Sequence, residues 1–139
     1  MNGKRKPAAS MTSSRTVLDT STLLALCFGE KGSRSALSRG KNGIMSAVSY
    51  SEAIAKSVDR GVPLETVTFA LVGLNLTIVP FDEEHAVAAA SFRPATRSLN
   101  VSFADRACLG TAALAKLPVL TADRKWDKIK CDLDIIFIR

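Results

Sequence analysis

The chain has 139 residues, 47% of them hydrophobic, which is enough for one well-buried core and too few for a second. A net charge of +6 and a pI of about 9.6 favour a polyanionic partner, although Lys4, Arg5, Lys6 and Arg15 alone supply four of the nineteen basic side chains. No apolar run approaches bilayer length, which argues against a membrane protein. Cys27, Cys108 and Cys131 are odd in number, lack metal-ligand spacing and lie in or beside apolar stretches, so reduced thiols and a cytoplasmic location are expected.

Residues 1–15 are basic and lead into Ser and Thr, without the apolar middle of a secretory signal. They are expected to form a disordered tail ahead of one domain over 16–139. Residues 16–18 make a short strand ending at Asp19, and 21–28 a helix that Gly29 stops. Residues 30–43 alternate Gly, Ser and Lys or Arg, the composition of a connector. A second strand over 44–48 leads into a helix over 49–60, closed by Gly61 and Pro63, and 64–74 is a further helix. The third strand, 76–79, breaks at Pro80, and Asp82 is placed to cap an Ala-rich helix through Ser91. Residues 93–100 are predicted as a loop, Ser102 as the start of a helix to Lys116, and Pro118 as the break before a strand over 119–121. Residues 123–128 form a turn or short helix, and 134–138 the last strand. This alternation implies right-handed crossovers and a mainly parallel sheet of about five strands inside a three-layer α/β/α fold.

Four acids follow apolar runs at points where helices begin: Asp19 after the first strand, Glu52 after the second, Asp105 at the helix feeding the fourth, and Asp123 after the fourth. In an open parallel sheet such positions converge on one edge. Each also has a purely structural reason to be there. Asp19 can cap a helix, Ser49-x-x-Glu52 and Ser102-x-x-Asp105 fit the capping-box pattern, and Asp123 suits a turn. Joint placement shifts the balance, because like charges about 4 Å apart repel by roughly 4 kcal/mol per pair at an effective dielectric near 20, so a shared cation is expected. The chemistry that follows is metal-assisted attack of water on a phosphodiester. Asp82, after an outer strand, should stay outside the cluster.

Val17-Leu18-Asp19-Thr20-Ser21, Ser51-Glu52-Ala53, Ser102-Phe103-Ala104-Asp105-Arg106-Ala107 and Leu120-Thr121-Ala122-Asp123 stand in the order found in PIN-domain nucleases. From Val17 onward the chain resembles a VapC-type toxin, with Val79-Pro80-Phe81-Asp82 and Trp126 in similar places. The resemblance implies strand order 3-2-1-4-5, RNA as substrate, and Mg2+ or Mn2+ held by Asp19 and Asp105. Glu52 and Asp123 would then orient water or hold a second ion, with Thr20 or Ser21 and Thr121 as supporting hydroxyls. It further implies a small VapB-type antitoxin covering the acidic site, and a homodimer joined through helices such as residues 22–28 and 58–71. The chain departs from the pattern at Ala104, where such toxins often carry Gly; this matters if the backbone there has positive φ.

Arg106, Arg124, Lys125 and Lys128 fall beside the acidic edge and are candidates to hold flanking phosphates. Trp126 is a candidate to stack on an unpaired base, against the commoner role of packing. His85 is the only histidine, which excludes imidazole-pair ribonuclease chemistry, and no phosphate-binding glycine loop follows any predicted strand. Two other readings remain: a non-catalytic PIN-like RNA-binding or scaffolding module, and a receiver-like domain, for which only Asp82 is suitably placed.

Overall fold

A computed structural model describes residues 14–139. Its sheet contains β1 (Val17–Leu18), β2 (Ile44–Ser46), β3 (Thr77–Val79), β4 (Val119–Thr121) and β5 (Ile135–Phe137), in the order β3-β2-β1-β4-β5. Every pairing is parallel, with Val17 opposite both Ile44 and Val119. The helices are α1 (Thr20–Phe28), α2 (Ser33–Gly40), α3 (Ala47–Asp59), α4 (Leu64–Gly73), α5 (Glu83–Ala90), α6 (Arg93–Thr96) and α7 (Phe103–Ala115), with a 3-10 turn over Arg124–Lys128. The tail expected over residues 1–15 falls almost wholly outside the described residues. At its end, Arg15 donates to the Asn42 carbonyl at 2.8 Å.

The three inner strands, β1, β2 and β4, are buried on both faces, while the outer strands β3 and β5 are only partly buried. Neighbouring residues alternate between two cores, as a period of two requires. Leu18, Met45 and Leu120 enter one core with Leu23 and Leu24 of α1, Ala53 of α3 and Val67 of α4. Val17, Ile44 and Val119 enter the other with Cys108, Leu109 and Ala112 of α7 and with Trp126. This is the three-layer arrangement expected from the alternation of elements. Gly29 ends α1 in the left-handed region, φ 63°, as its place after the helix predicts. Among the described residues no helix is long and apolar enough to cross a membrane.

Three local expectations are corrected. The connector over 30–43 contains α2, whose burial is limited to Ala36 and Gly40, so its apolar signal is too thin to stand out from Ser and Arg. The loop over 93–100 contains α6, with Pro94 in its first turn, where proline's missing N–H costs nothing. The second strand stops at Ser46, because the Ser46 hydroxyl accepts from the Val48 N–H at 3.1 Å and starts α3 two residues early. The capping box proposed for Ser49 and Glu52 therefore does not form, and Glu52 sits in the second turn of α3. The box at Ser102 and Asp105 is present as predicted.

Candidate active site

The strand order reverses beside β1, and the ends of β1 and β4 face one another there. Asp19 follows β1 and caps α1 by accepting the Thr22 N–H at 2.9 Å. Thr121, the last residue of β4, donates its hydroxyl to Asp19 Oδ2 at 2.6 Å and accepts the Asp123 N–H at 3.0 Å. The Ser21 hydroxyl lies 2.8 and 2.9 Å from the two Asp19 oxygens and accepts the Ala122 N–H at 2.9 Å, joining the start of α1 to the segment after β4. Asp19 is 3% exposed. Burial pushes its carboxyl from the ordinary 3.8 up to about 6, outweighing the donors from Thr121, Ser21 and Thr22, which pull it down.

Asp123 caps the 3-10 turn through the Lys125 N–H and pairs with Lys125 Nζ at 2.8 Å. Asp105 accepts the Ser102 N–H at 3.0 Å, while its own N–H is taken by the Ser102 hydroxyl at 3.2 Å. Its pKa is raised, first by burial and further by the negative charge of Glu52, while Ser102 and the Lys125 ammonium pull it back. Burial drives the Cys108 thiol well above its usual value, with the charges of Asp19 and Asp105 adding to the rise. Glu52 has Lys56 Nζ at 4.0 Å.

The charge of Glu52 thus reaches Asp105, Lys125 acts on both Asp105 and Asp123, and Asp19 and Asp105 both act on the buried Cys108. Asp82 stays apart as expected: it is exposed, caps α5 and holds His85 Nδ1 at 2.8 Å. Among the described residues, however, no three His, Cys, Asp or Glu side chains form a group able to hold a metal ion. The acids share an edge without sharing a ligand shell. In kind the donors fit a hard divalent cation, since carboxylate and hydroxyl oxygens surround the edge, and Cys108, the nearest thiol, is fully buried.

The supporting residues divide. Ser21 and Thr121 serve Asp19, whereas the Thr20 hydroxyl donates to the Ser49 carbonyl at 3.0 Å and ties α1 to α3. Thr22 was not foreseen. Its hydroxyl lies 3.0 Å from Asp19 Oδ1 and 2.8 Å from the Leu120 carbonyl, and the hydroxyl run Thr20-Ser21-Thr22 after the acid was the available signal. Ala104 lies in the first turn of α7 and is absent from the residues with positive φ, so replacing Gly strains nothing. Trp126 is fully buried and offers no free ring face, which removes it as a base-stacking candidate. Arg106 donates to the Val101 carbonyl at 3.0 Å, and the Arg124 guanidinium lies over the Phe137 ring at 4.3 Å, so both are engaged within the chain. Lys128 is exposed.

The fold is that of a parallel α/β protein with a buried carboxylate, Asp19, at the topological switch point. A family model described as the PIN domain matches residues 16–130, and the chain belongs to that family. A comparison with curated proteins finds no match. Among solved structures, the chain is similar to a toxin-antitoxin complex from Klebsiella pneumoniae, with TM-score 0.70 and 18% identity over 89% of this chain and 98% of that one. It is similar to DNA-bound VapBC from Salmonella typhimurium, with TM-score 0.69 and 18% identity over 91% and 99% of the two chains. A sarcin-ricin loop cleaving VapC toxin from Mycobacterium tuberculosis aligns with TM-score 0.65 and 17% identity over 79% and 90%. At such identities the likeness is one of fold.

Proposed function

We propose that this chain is a divalent-metal-dependent endoribonuclease, the toxin of a VapBC-type toxin-antitoxin pair. The observation that carries the reading is Asp19. A carboxylate 3% exposed, raised to about 6 by burial and aimed by hydroxyls from α1 and β4, gains most from a cation at the same edge. Asp19 and Asp105 would hold Mg2+ or Mn2+, with Glu52 and Asp123 orienting water or holding a second ion. Such an ion, when bound, withdraws charge from phosphate oxygens and acidifies water. Within the chain, Ser21, Thr22 and Thr121 fix the orientation of Asp19, Asp105 and Glu52 supply negative charge from the opposite side, and Lys125 balances it.

The toxin assignment draws support from the toxin-antitoxin complexes among the similar structures. An antitoxin and a second copy both need outward apolar surface, which α4 offers at Phe69, 81% exposed, and Val72, 72% exposed. The other stretch expected to make such contacts, residues 22–28, turns Leu23, Leu24 and Ala25 into the core.

The test is cleavage of single-stranded RNA with Mg2+ or Mn2+. Asp105→Asn, nearly isosteric, should lower turnover by at least about a hundredfold with an unchanged circular dichroism spectrum; full activity in this variant removes the proposed role. The rival reading is a PIN-domain module that binds RNA without cutting it. It is favoured by one observation, that Asp105 and Asp123 are already satisfied by Ser102 and Lys125. RNA binding by the wild type with no cleavage under either ion would select it.

A further inference from the structure

Two aromatic rings stand at the same sheet edge. Phe103 is the first residue of α7, between its cap Ser102 and Asp105, and is 53% exposed. Phe81 leaves the end of β3 and meets Phe103 edge to face, with centroids 5.6 Å apart and planes at 87°. Phe81 is itself braced by the His85 ring, 6.2 Å away, and the His85 ring is held by Asp82. Backbone packing sets the spacing, because Gly110 of α7 lies against α5 so closely that a Cβ there would come 2.7 Å from the Ala89 nitrogen.

A half-exposed ring in the same first turn of α7 as a proposed catalytic carboxylate, and held by a second ring, has the properties of a ligand contact. We infer that Phe103, supported by Phe81, is a stacking platform for an unpaired nucleobase of the RNA strand held at the acidic edge. The inference rests on the nuclease reading and names the part of the substrate that this side of the edge binds. An edge-to-face pair leaves open ring surface, and an aromatic face accepts any base. One cation is tied to this side of the edge: the Lys125 ammonium feels the charge of Asp105, two residues along α7 from Phe103. The aliphatic and aromatic side chains exposed along α4, by contrast, carry no such cationic company in their helix, Leu64–Gly73.

The test uses the full chain in EDTA, so that the strand stays intact, with a short single-stranded RNA carrying 2-aminopurine. Wild type should quench the fluorophore on binding. Phe103→Ala and Phe103→Leu should both lose the quench and bind about tenfold more weakly, while Phe103→Trp keeps both. Leucine retains apolar bulk and lacks the π face, so wild-type binding and quenching by Phe103→Leu overturns the platform. RNA binding by wild type without any quench also overturns it. If wild type cleaves RNA in Mg2+ while Phe103→Ala binds as tightly as wild type, the platform alone falls and the ring is left as a protein contact. If wild type neither binds nor cleaves RNA, the nuclease reading falls with it.

Discussion

The two halves of the acidic edge are held in different ways. On the β1 and β4 half, Asp19 takes hydrogen bonds from its own helix and from Thr121, which is 102 residues away in sequence. On the other half, Asp105 and Asp123 are satisfied by partners two or three residues away. The first set exists only when the sheet is assembled; the second forms with its local turn. Long-range donors over-determine a buried carboxylate and fix where it points, whereas local partners on the surface can be exchanged for others at small cost. One half is therefore preorganised and the other adjustable, and the described side chains form no ready-made ligand group.

The largest effect expected from this contrast lies at Asp19. Its folded pKa is about 6 against an ordinary 3.8, so the native chain binds the proton more tightly than the unfolded chain. Stability from this group is fully present below about 3.8 and is lost as pH rises through about 6, to a total of roughly 3 kcal/mol. In the absence of divalent ions, Asp19→Asn should therefore raise the denaturation midpoint at pH 7, and wild type should draw level as the pH falls toward 4. Thermal melts across that range check it. A variant less stable than wild type at pH 7 would mean that the donors around Asp19 outweigh its burial, and the contrast between the halves would reverse.

The same contrast explains what the sequence made legible. Five strands could be expected because each was a short apolar run between helical stretches, and their order came from the resemblance to PIN-domain nucleases; Asp19 and Asp123 stood out because they directly follow strand-like runs. Glu52 sits in the second turn of α3 and not in the capping box its pattern suggested, because a buried serine at the end of β2, Ser46, captured the helix start first. The α2 helix hid in a Ser and Arg stretch with almost nothing to bury. Trp126 takes the commoner of its two readings, packing: it lies in one core with Ile129, three residues on, and with Val17 and Leu109. Thr22 and the Phe81 to Phe103 contact depend on which rotamer or ring meets a distant segment, and a linear pattern does not carry that.

A smaller effect is expected at Ser102. Ser102→Ala removes one hydroxyl acceptor from the first turn of α7 but leaves the bond from its N–H to the Asp105 carboxylate. The loss should be about 1 kcal/mol in urea denaturation. It should also be the same with and without Mn2+, because the bond is local to the helix start. A loss that disappears on adding Mn2+ would show that the capping box and the cation compete for Asp105.

The smallest effect on stability and the sharpest on the comparison is at Lys125. Its ammonium lies 2.8 Å from Asp123, with side chains 39% and 31% exposed, so the pair contributes no more than about 0.5 kcal/mol to folding. Its pKa is raised by the hydrogen bond to Asp123 and by the charges of Asp123 and Asp105, which places it between those two acids electrostatically. A cation arriving at the adjustable half meets this resident charge. Lys125→Met should consequently bind Mn2+ about threefold more tightly in calorimetric titration at low salt, an advantage that shrinks as ionic strength rises. Lys125→Arg, which keeps the charge, should bind as wild type does. Equal Mn2+ affinity in Lys125→Met and wild type would mean that Asp123 takes no part in holding the ion, and the adjustable half would reduce to Asp105 and Glu52.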